Sequence, residues 1–364
     1  MSRILAIVLL FGIVSCSEPY DGDGRMDAFF YADVNGSQMP VLVEGNIESK
    51  KFIVIVHGGP GGSGFSYVGE TAIEKLEQDF AVVYYDQRLS GGSADVGGEN
   101  PYPSRSDMAN DLYHLIKTLK AKYGAENQMF LLGHSWGGEL LGEFMSTTEY
   151  ATEVAGMIHV AGLIVYADDY QVLGQNRRDL ILSICDTVQT QDTSGAIWDQ
   201  IEARVLAYDT VTVNKWNLGT HWQDGWDISW EHIYDAGLAS NIYINETELY
   251  DFAVNIDGSS YESASGSYDS SFFQSENTAA YLVPYTVQGR TNQSYDITKI
   301  DKPSLIITGK YDCIVPPETG VRLYNDIATP MADKYYHEID STSHAPYRRA
   351  PEFYKLVKEF VGKY

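Results

Sequence analysis

Residues 129–146 read MFLLGHSWGGELLGEFMS, and this stretch decides the fold. The apolar run Met129–Leu132 predicts a buried strand, and the spacing over Glu139–Ser146 predicts a helix. Between them the chain has a G-x-S-x-G pattern, Gly133-His134-Ser135-Trp136-Gly137, where the strand turns into the helix. The small residues on both sides of the serine permit a turn sharp enough to hold the Ser135 Oγ clear of the sheet edge. The stretch therefore predicts a serine nucleophile at Ser135.

A second glycine-rich loop, His57-Gly58-Gly59-Pro60-Gly61-Gly62, directly follows the apolar run Phe52–Val56. An acyl-transfer enzyme needs amide donors aimed at the oxyanion of its tetrahedral intermediate. The N–H of Trp136 and an N–H of this loop, assigned to Gly59, are the candidates. A phosphate-binding loop is the rival interpretation, but no lysine follows and the glycine spacing fits neither nucleotide motif. His57 is interpreted as a residue that fixes the loop.

A base and an acid are expected after two later strands, in the chain order Ser, Asp, His. The predicted strand Ser304–Thr308 leads to Asp312, and the predicted strand Lys334–Ile339 leads to His344. We therefore predict His344 as the general base and Asp312 as the acid that orients it. Asp340 and Asp301 are competing acids that lie less favourably relative to their strands.

Strands and helices alternate along most of the chain, which predicts a mostly parallel sheet covered by helices on both faces. The predicted strands are Asp27–Val34, Met39–Val43, Phe52–Val56, Phe80–Tyr85, Met129–Leu132, Val154–Val160, Ser304–Thr308 and Lys334–Ile339. The predicted helices are Tyr67–Gln78, Asp107–Lys122, Glu139–Ser146, Glu318–Ile327 and Pro351–Val361.

The alternation stops after Gly162 and resumes near Ile300, and the tryptophan-rich sequence between them predicts a mainly helical cap inserted at the carboxyl edge of the sheet. The predicted organisation is a lipoprotein-type signal peptide at residues 1–15, a tether at 16–27, a catalytic core at 28–164 and 300–364, and a cap insertion at 165–299.

Four motifs resemble those of the proline iminopeptidase branch of the α/β-hydrolases. They are H-G-G-P-G at His57–Gly61, D-Q-R at Asp86–Arg88, G-x-S-W-G at Gly133–Gly137 and G-x-x-D at Gly309–Asp312. The resemblance implies the α/β-hydrolase fold and a serine peptidase that releases an N-terminal residue, typically proline, from short peptides. It implies no metal and no organic cofactor.

The chain departs from the family pattern at two places. Leu89 follows the D-Q-R motif where the family has glycine. Family members hold the substrate's free amine with a pair of cap carboxylates, and no glutamate of this chain aligns with that pair. Asp224, Asp227 and Glu231 lie among tryptophans, which suits an ammonium in an apolar pocket. The alternative is an ordinary cap whose acids face water. Metal binding by His221 and His232 is a remote third interpretation.

Other functions on the same fold are weighed against this prediction. A carboxylic ester hydrolase uses the same three catalytic residues and would act on a small ester. Since the cap decides the substrate, these residues do not separate it from a peptidase. A non-catalytic binding protein at the cell surface is the rival from another class, and the intact set of catalytic residue types argues against it. A dehalogenase is excluded because it needs a carboxylate where Ser135 stands.

The N-terminus has the features of a bacterial export signal. Arg3 precedes the apolar stretch Ile4–Val14, which is too short to span a bilayer permanently. The residues Ile13-Val14-Ser15-Cys16 resemble a lipobox, so Cys16 is predicted to become an acylated N-terminus. The sequence thus predicts an exported lipoprotein of the cell envelope, with membrane contact only through Cys16; simple secretion is the alternative.

The charge balance is strongly acidic, with 50 Asp and Glu residues against 25 Lys and Arg residues. This charge repels nucleic acid, so no nucleic-acid partner is predicted. Beyond Cys16 there are only Cys185 and Cys313, for which one disulfide is possible but not indicated, and no Cys/His spacing suggests a zinc site.

Overall fold

The computed structural model describes residues 25–93, 104–164, 170–190, 196–207, 225, 228–240 and 295–364. Its centre is an eight-stranded sheet. The strands are β1 (Arg25–Val34), β2 (Ser37–Asn46), β3 (Lys51–Val56), β4 (Ala81–Tyr85), β5 (Gln128–His134), β6 (Gly156–Val160), β7 (Ser304–Gly309) and β8 (Lys334–Ile339). Because β1 begins at Arg25, it takes in the last residues of the predicted tether.

The strand order in the sheet is β1-β2-β4-β3-β5-β6-β7-β8. β2 is antiparallel to both β1 and β4, and all other neighbouring strands are parallel. The prediction of a mostly parallel sheet is confirmed, and the sheet is open. β3 and β5 lie side by side with Val56 opposite Gly133, so the loops that follow these two strands meet at the same edge of the sheet.

Helices cover both faces, as predicted. They are α1 (Thr71–Glu77), α2 (Arg105–Tyr123), α3 (Trp136–Ser146), α4 (Thr148–Ala151), α5 (Tyr170–Thr190), α6 (Ala196–Leu206), α7 (Ile233–Asp235), α8 (Glu318–Asp326) and α9 (Ala350–Lys363). The helix predicted over Tyr67–Gln78 was wrong at its start. Gly69 has φ +77°, outside the helical region, so a short 3₁₀ turn at Gly64–Tyr67 is separated from α1.

Two apolar cores lie on the two faces of the sheet. Alternate side chains of β3 divide between them: Phe52, Val54 and Val56 pack into one core, and Ile53 and Ile55 into the other. The first core is closed by α2, α3 and α8, and the second by α1 and α9. Since β3 is buried on both faces, its carboxyl end is a rigid base for the loop that follows it.

The described parts of the predicted cap insertion are helical. α5, α6 and the segment 228–240 share a third apolar cluster, and this cluster includes Cys313 of the core. The cap therefore packs directly against the loop that follows β7. Among the described residues, no helix has the length and apolar character needed to span a bilayer.

Candidate active site

Ser135 lies between β5 and α3 with φ +54° and ψ −119°, a sparsely populated backbone conformation that costs an L-residue about 1–3 kcal/mol. Glycine is required on both sides of this turn. A Cβ at Gly137 would lie 1.9 Å from the Val56 carbonyl oxygen, and a Cβ at Gly133 would lie 2.7 Å from the Gly137 carbonyl oxygen. The G-x-S-x-G spacing thus allows the strained serine to fit against the end of β3.

The structure brings Ser135, His344 and Asp312 into contact. The Ser135 hydroxyl donates to His344 Nε2 over 2.9 Å, and His344 Nδ1–H donates to Asp312 Oδ2 over 2.8 Å. Ser135 is 8% exposed, His344 is 2% exposed and Asp312 is fully buried. The arrangement links a hydroxyl, an imidazole and a carboxylate in one line, sheltered from water except at the serine.

The carboxylate of Asp312 is held from both sides. Its Oδ1 accepts hydrogen bonds from the N–H groups of Ile314 and Val315, which leaves Oδ2 for His344. The competing acids are elsewhere: the Asp340 carboxylate is exposed and pairs with Lys310, and Asp301 lies in an exposed turn before β7. Of the three candidate acids, the structure places only Asp312 against His344.

Two cap residues bind the main chain immediately after Asp312. The guanidinium of Arg177, fully buried on α5, donates from Nε to the Cys313 carbonyl over 2.7 Å and from Nη2 to the Ile314 carbonyl over 2.6 Å. The Cys313 N–H donates to the Ser229 hydroxyl over 2.9 Å. The cap thus holds both polar groups of the Cys313 backbone.

A cavity of about 240 Å³ opens above Ser135. The glycine-rich loop, including Gly59, forms one wall, and Trp230 of the cap lines it on another side together with His344. Trp136 is the first residue of α3, so its N–H has no carbonyl acceptor within the helix. The loop after β3 and the start of α3 both border the serine: a Cβ on Gly58 would lie 3.2 Å from the Ser135 Cβ.

His57 fixes the glycine-rich loop and is not in contact with the serine. Its Nδ1–H donates to the Gly58 carbonyl over 2.8 Å, and its Nε2 accepts the Gln87 N–H over 3.0 Å. Burial lowers the pKa of His57 to about 4, so the ring is neutral near pH 7. The Gln87 side chain also accepts from the Trp136 indole N–H. The D-Q-R motif thus ties the two predicted oxyanion segments together.

The charged residues of the D-Q-R motif, Asp86 and Arg88, bond segments other than the glycine-rich loop and the start of α3. Asp86 accepts hydrogen bonds from the Ser63 hydroxyl and from the N–H groups of Gly64 and Gly92, and burial nevertheless raises its pKa to about 6. Arg88 forms a two-pronged ion pair with Asp111 on α2, at 2.6 and 2.7 Å. These contacts brace the loop around the site, and the Asp86 and Arg88 side chains themselves do not line the cavity.

Leu89 occupies a left-handed conformation, with φ +59°. Glycine adopts this region without steric cost, which explains why a glycine suits this position. With leucine in place of the family's glycine, the loop keeps this conformation at the cost of backbone strain at residue 89.

The predicted ammonium-binding residues are only partly described. Asp224 and Asp227 lie outside the described residues, as does His221. Glu231 directly follows Trp230 but is exposed, and it is not among the residues that line the cavity. The described part of the cavity wall contains no carboxylate.

Sequence reasoning missed several residues around the serine. Tyr67, His134 and Trp230 line the cavity, and Arg177 binds the acid loop. His134 occupies the variable position of G-x-S-x-G, and Tyr67 was assigned to a helix start. Only Trp230, as one of the clustered cap tryptophans, had a signal that could have drawn attention to it.

Comparisons with known proteins agree with this architecture. A sequence model of the family described as serine aminopeptidase, S33, matches residues 47–216. The chain is 24% identical over 341 residues to a proline iminopeptidase of Heyndrickxia coagulans, a match that covers 93% of this chain and 95% of that protein. It is 21% identical over 335 residues to a Bacillus subtilis (strain 168) protein named probable aminopeptidase YbaC, covering 88% of this chain and 92% of that protein.

Solved structures share the fold. A proline iminopeptidase-related protein from Thermus thermophilus superimposes with a TM-score of 0.55 at 16% identity, covering 92% of this chain and 97% of that one. Topology and structural similarity together show that the chain has the α/β-hydrolase fold. Within that fold class it is similar to the proline iminopeptidase-like family of serine aminopeptidases, and the resemblance of its motifs to that family is confirmed.

Proposed function

We propose that the chain is a serine hydrolase in which Ser135 is the nucleophile, His344 the general base and Asp312 the acid that orients the imidazole. The observation that carries the proposal is the pair of contacts at His344: 2.9 Å from Nε2 to the serine Oγ and 2.8 Å from Nδ1 to the Asp312 carboxylate. This geometry lets one ring nitrogen take the serine proton while the other is held by a fixed negative charge.

The reaction follows from these positions. His344 accepts the Ser135 proton as Oγ attacks the substrate carbonyl, and Asp312 stabilises the resulting imidazolium. The N–H groups of Gly59 and Trp136 bind the oxyanion, and the positive end of α3 adds to that stabilisation. His344 then protonates the leaving amine, an acyl-enzyme remains on Ser135, and water attacks it in a second cycle with the same proton transfers.

We propose a short peptide with a free N-terminus as substrate, from which the enzyme releases the first residue. The names of the two sequence relatives support this choice. Trp230 gives the cavity an aromatic wall that suits a ring such as proline's, or an ammonium placed over the face of the indole. A buried ammonium needs a paired acid, since an unpaired charge in an apolar site costs several kcal/mol. Asp224 and Asp227 are the first proposed partners, and Glu231, which is exposed and outside the cavity lining, is the third.

A substrate panel tests the proposal. Prolyl and alanyl 4-nitroanilides are compared with their N-acetylated forms and with 4-nitrophenyl acetate and butyrate, in the parent and in Ser135→Ala. Blocking the amine is expected to lower kcat/KM at least about a hundredfold, roughly 2.7 kcal/mol of transition-state binding. Asp224→Asn, Asp227→Asn and Glu231→Gln identify the anchor, because the responsible variant loses activity on free amines and keeps it on blocked ones.

Three results would overturn the assignment of substrate. Turnover of the esters alone, or equal rates on free and blocked amines, would identify a carboxylic ester hydrolase. Absence of turnover on every substrate, with the fold intact, would favour a binding protein.

We also propose that the protein is an exported bacterial lipoprotein held in the cell envelope by acyl chains on Cys16. The basic start, the short apolar stretch and the Ile13–Cys16 lipobox support this proposal. Each buried methylene adds about 0.8 kcal/mol of membrane affinity, so several chains on one cysteine would hold the domain firmly. In a bacterial host, the Cys16→Ser protein should move from the membrane fraction to the soluble fraction or keep its signal peptide. The Cys185→Ser protein should be processed and stay in the membrane fraction. A mature chain that begins elsewhere, without lipid mass, would refute the anchor.

A further inference from the structure

Three hydrogen bonds connect the glycine-rich loop to the loop that carries His344. The Gly58 N–H donates to the Tyr67 hydroxyl over 3.3 Å. That hydroxyl bonds His134 Nδ1 over 2.6 Å, and His134 Nε2 bonds the main-chain carbonyl of His344 over 2.7 Å. The chain of bonds therefore passes through the residue that directly precedes Ser135.

The direction of each bond follows from the two ends of the chain together with the neutral state of His134. A backbone N–H can only donate and a carbonyl oxygen can only accept, so the Tyr67 oxygen accepts from Gly58 and His134 Nε2–H donates to the His344 carbonyl. Because burial keeps the His134 ring neutral, its Nδ1 has no proton and accepts the proton of the Tyr67 hydroxyl.

The Gly58 peptide is also held on its other side. His57 Nδ1–H donates to the Gly58 carbonyl, and His57 Nε2 accepts from the Gln87 N–H. Both polar groups of Gly58 are thus bonded to buried side chains. Because Gly58 directly precedes Gly59, its orientation sets the direction of the Gly59 N–H that is proposed to bind the oxyanion.

Burial keeps the chain of bonds neutral. His134 is 5% exposed and Tyr67 is 4% exposed. Burial raises the pKa of Tyr67 and lowers the pKa of His134 to about 3. The charged or titratable groups that face His134 are Tyr67, Tyr347, His344, Arg348 and His159, and the cation Arg348 opposes its protonation. No positive charge therefore develops on His134 beside the imidazolium proposed for His344, whose ring centre is 4.9 Å away.

We propose that Tyr67 and His134 are positioning residues that hold Gly58, through its N–H, and the His344 loop in place around Ser135. The inference rests on the proposed serine-hydrolase mechanism. In this arrangement the Tyr67 hydroxyl and the His134 ring touch no reacting atom. They act by fixing two loops whose relative position decides whether the serine, the base and the oxyanion donors are aligned.

The test uses the rate of labelling by diisopropyl fluorophosphate, which does not depend on knowing the natural substrate. In this reaction the serine Oγ attacks phosphorus, its proton passes to His344, the P–F bond breaks and fluoride leaves. Tyr67→Phe removes only the hydroxyl, and we expect the second-order labelling rate to fall at least about tenfold. The folded fraction is checked by circular dichroism.

Tyr347→Phe is the matched control. Its ring packs 5.4 Å from the Tyr67 ring and 5.2 Å from the His134 ring, and among the described residues its hydroxyl makes no hydrogen bond. We expect this variant to label within about twofold of the parent. Equal labelling rates in Tyr67→Phe and Tyr347→Phe would overturn the proposal.

A pair of substitutions at His134 separates positioning from packing. His134→Leu fills the site without a donor, whereas His134→Gln places an amide N–H where it can reach the His344 carbonyl. The leucine variant is expected to label at least about tenfold more slowly than the glutamine variant, although leucine suits an apolar interior better. Equal rates in the two variants, or a leucine variant as fast as the parent, would contradict the proposal.

A spectroscopic measurement on the parent protein tests the chain of bonds independently of any activity. In ¹⁵N-labelled histidine spectra, His134 is expected as the neutral Nε2–H form throughout pH 5.5 to 8.5, because its pKa is held at about 3. An Nδ1–H form, or titration within this range, would refute the arrangement. A parent that is not labelled by the fluorophosphate, but shows the expected His134 form, would refute the proposed mechanism and leave the bonding pattern standing.

Discussion

The guanidinium of Arg177, on cap helix α5, donates to the main-chain carbonyl of Cys313, the residue that follows Asp312. Arg177 is fully buried, and Cys313 belongs to the apolar cluster of the cap. The insertion that borders the cavity is therefore also the support of the acid loop. Activity and cap docking should depend on each other, because the same contacts serve both.

Replacing Arg177 should destabilise the protein strongly. Arg177→Met leaves the Cys313 and Ile314 carbonyls buried without donors, each at about 1–3 kcal/mol, so the free energy of unfolding should fall by about 3 kcal/mol or more. Arg178→Met, on the same helix, is the matched control, since within the described part of the chain its half-exposed side chain pairs only with exposed Asp179. The control should lose under about 0.5 kcal/mol. Urea unfolding measures both, and equal losses would contradict the assigned role.

Leu89 should be a site where glycine stabilises the protein. Its φ of +59° costs an L-residue roughly 1–2 kcal/mol, part of which is offset by the higher unfolded-state entropy of glycine. Leu89→Gly is therefore expected to raise the free energy of unfolding by about 0.5 to 1 kcal/mol. Leu89→Asn should change it in the same direction, and the β-branched Leu89→Val should lower it. A valine variant as stable as the glycine variant would show that strain at this position is negligible.

Buried His159 should make the protein sensitive to acid. Burial lowers its pKa to about 3 from an unfolded value near 6.5, and among the described residues neither ring nitrogen has a hydrogen-bond partner. As the pH falls below about 6.5, the unfolded chain takes up a proton that the folded chain cannot accept until about pH 3. The free energy of unfolding then falls by up to about 1.4 kcal/mol per pH unit from this residue alone.

His159→Leu should remove this contribution. Urea unfolding at pH 7.5, 6.0, 5.0 and 4.0 should show a slope smaller by about 1.4 kcal/mol per pH unit below pH 6, with stability at pH 7.5 equal or higher. An unchanged slope would mean that His159 is protonated in the folded protein, or that it finds a partner on exposure to acid.

The parts of this structure that sequence predicts are those governed by local pattern. Parallel strands that are buried on both faces have continuous apolar sequences, which makes them easy to recognise. All eight predicted strands are found in the sheet. Asp312 and His344 could be assigned because each follows such a strand, and the structure brings both to Ser135.

Residues that act through contacts distant in the chain gave no such signal. Tyr67 and His134 meet only because the turn after the glycine-rich loop folds back over the sheet edge, and 67 residues separate them in the chain. Arg177 is one basic residue in a helical pattern. Nothing near it in sequence indicates that it would donate to the main-chain carbonyls of Cys313 and Ile314. The start of α1 was misplaced because the conformation of Gly69 depends on the loop around it.

The most direct test of the central claim is to locate the group that diisopropyl fluorophosphate modifies, by intact mass and peptide mapping. The account predicts one diisopropylphosphoryl group per chain, on the peptide that contains Ser135, and none on Ser135→Ala. It further predicts that His344→Ala and Asp312→Asn react orders of magnitude more slowly than the parent, because the serine then lacks a base in the correct orientation. A modified residue other than Ser135, or equal labelling of Ser135→Ala and the parent, would contradict it.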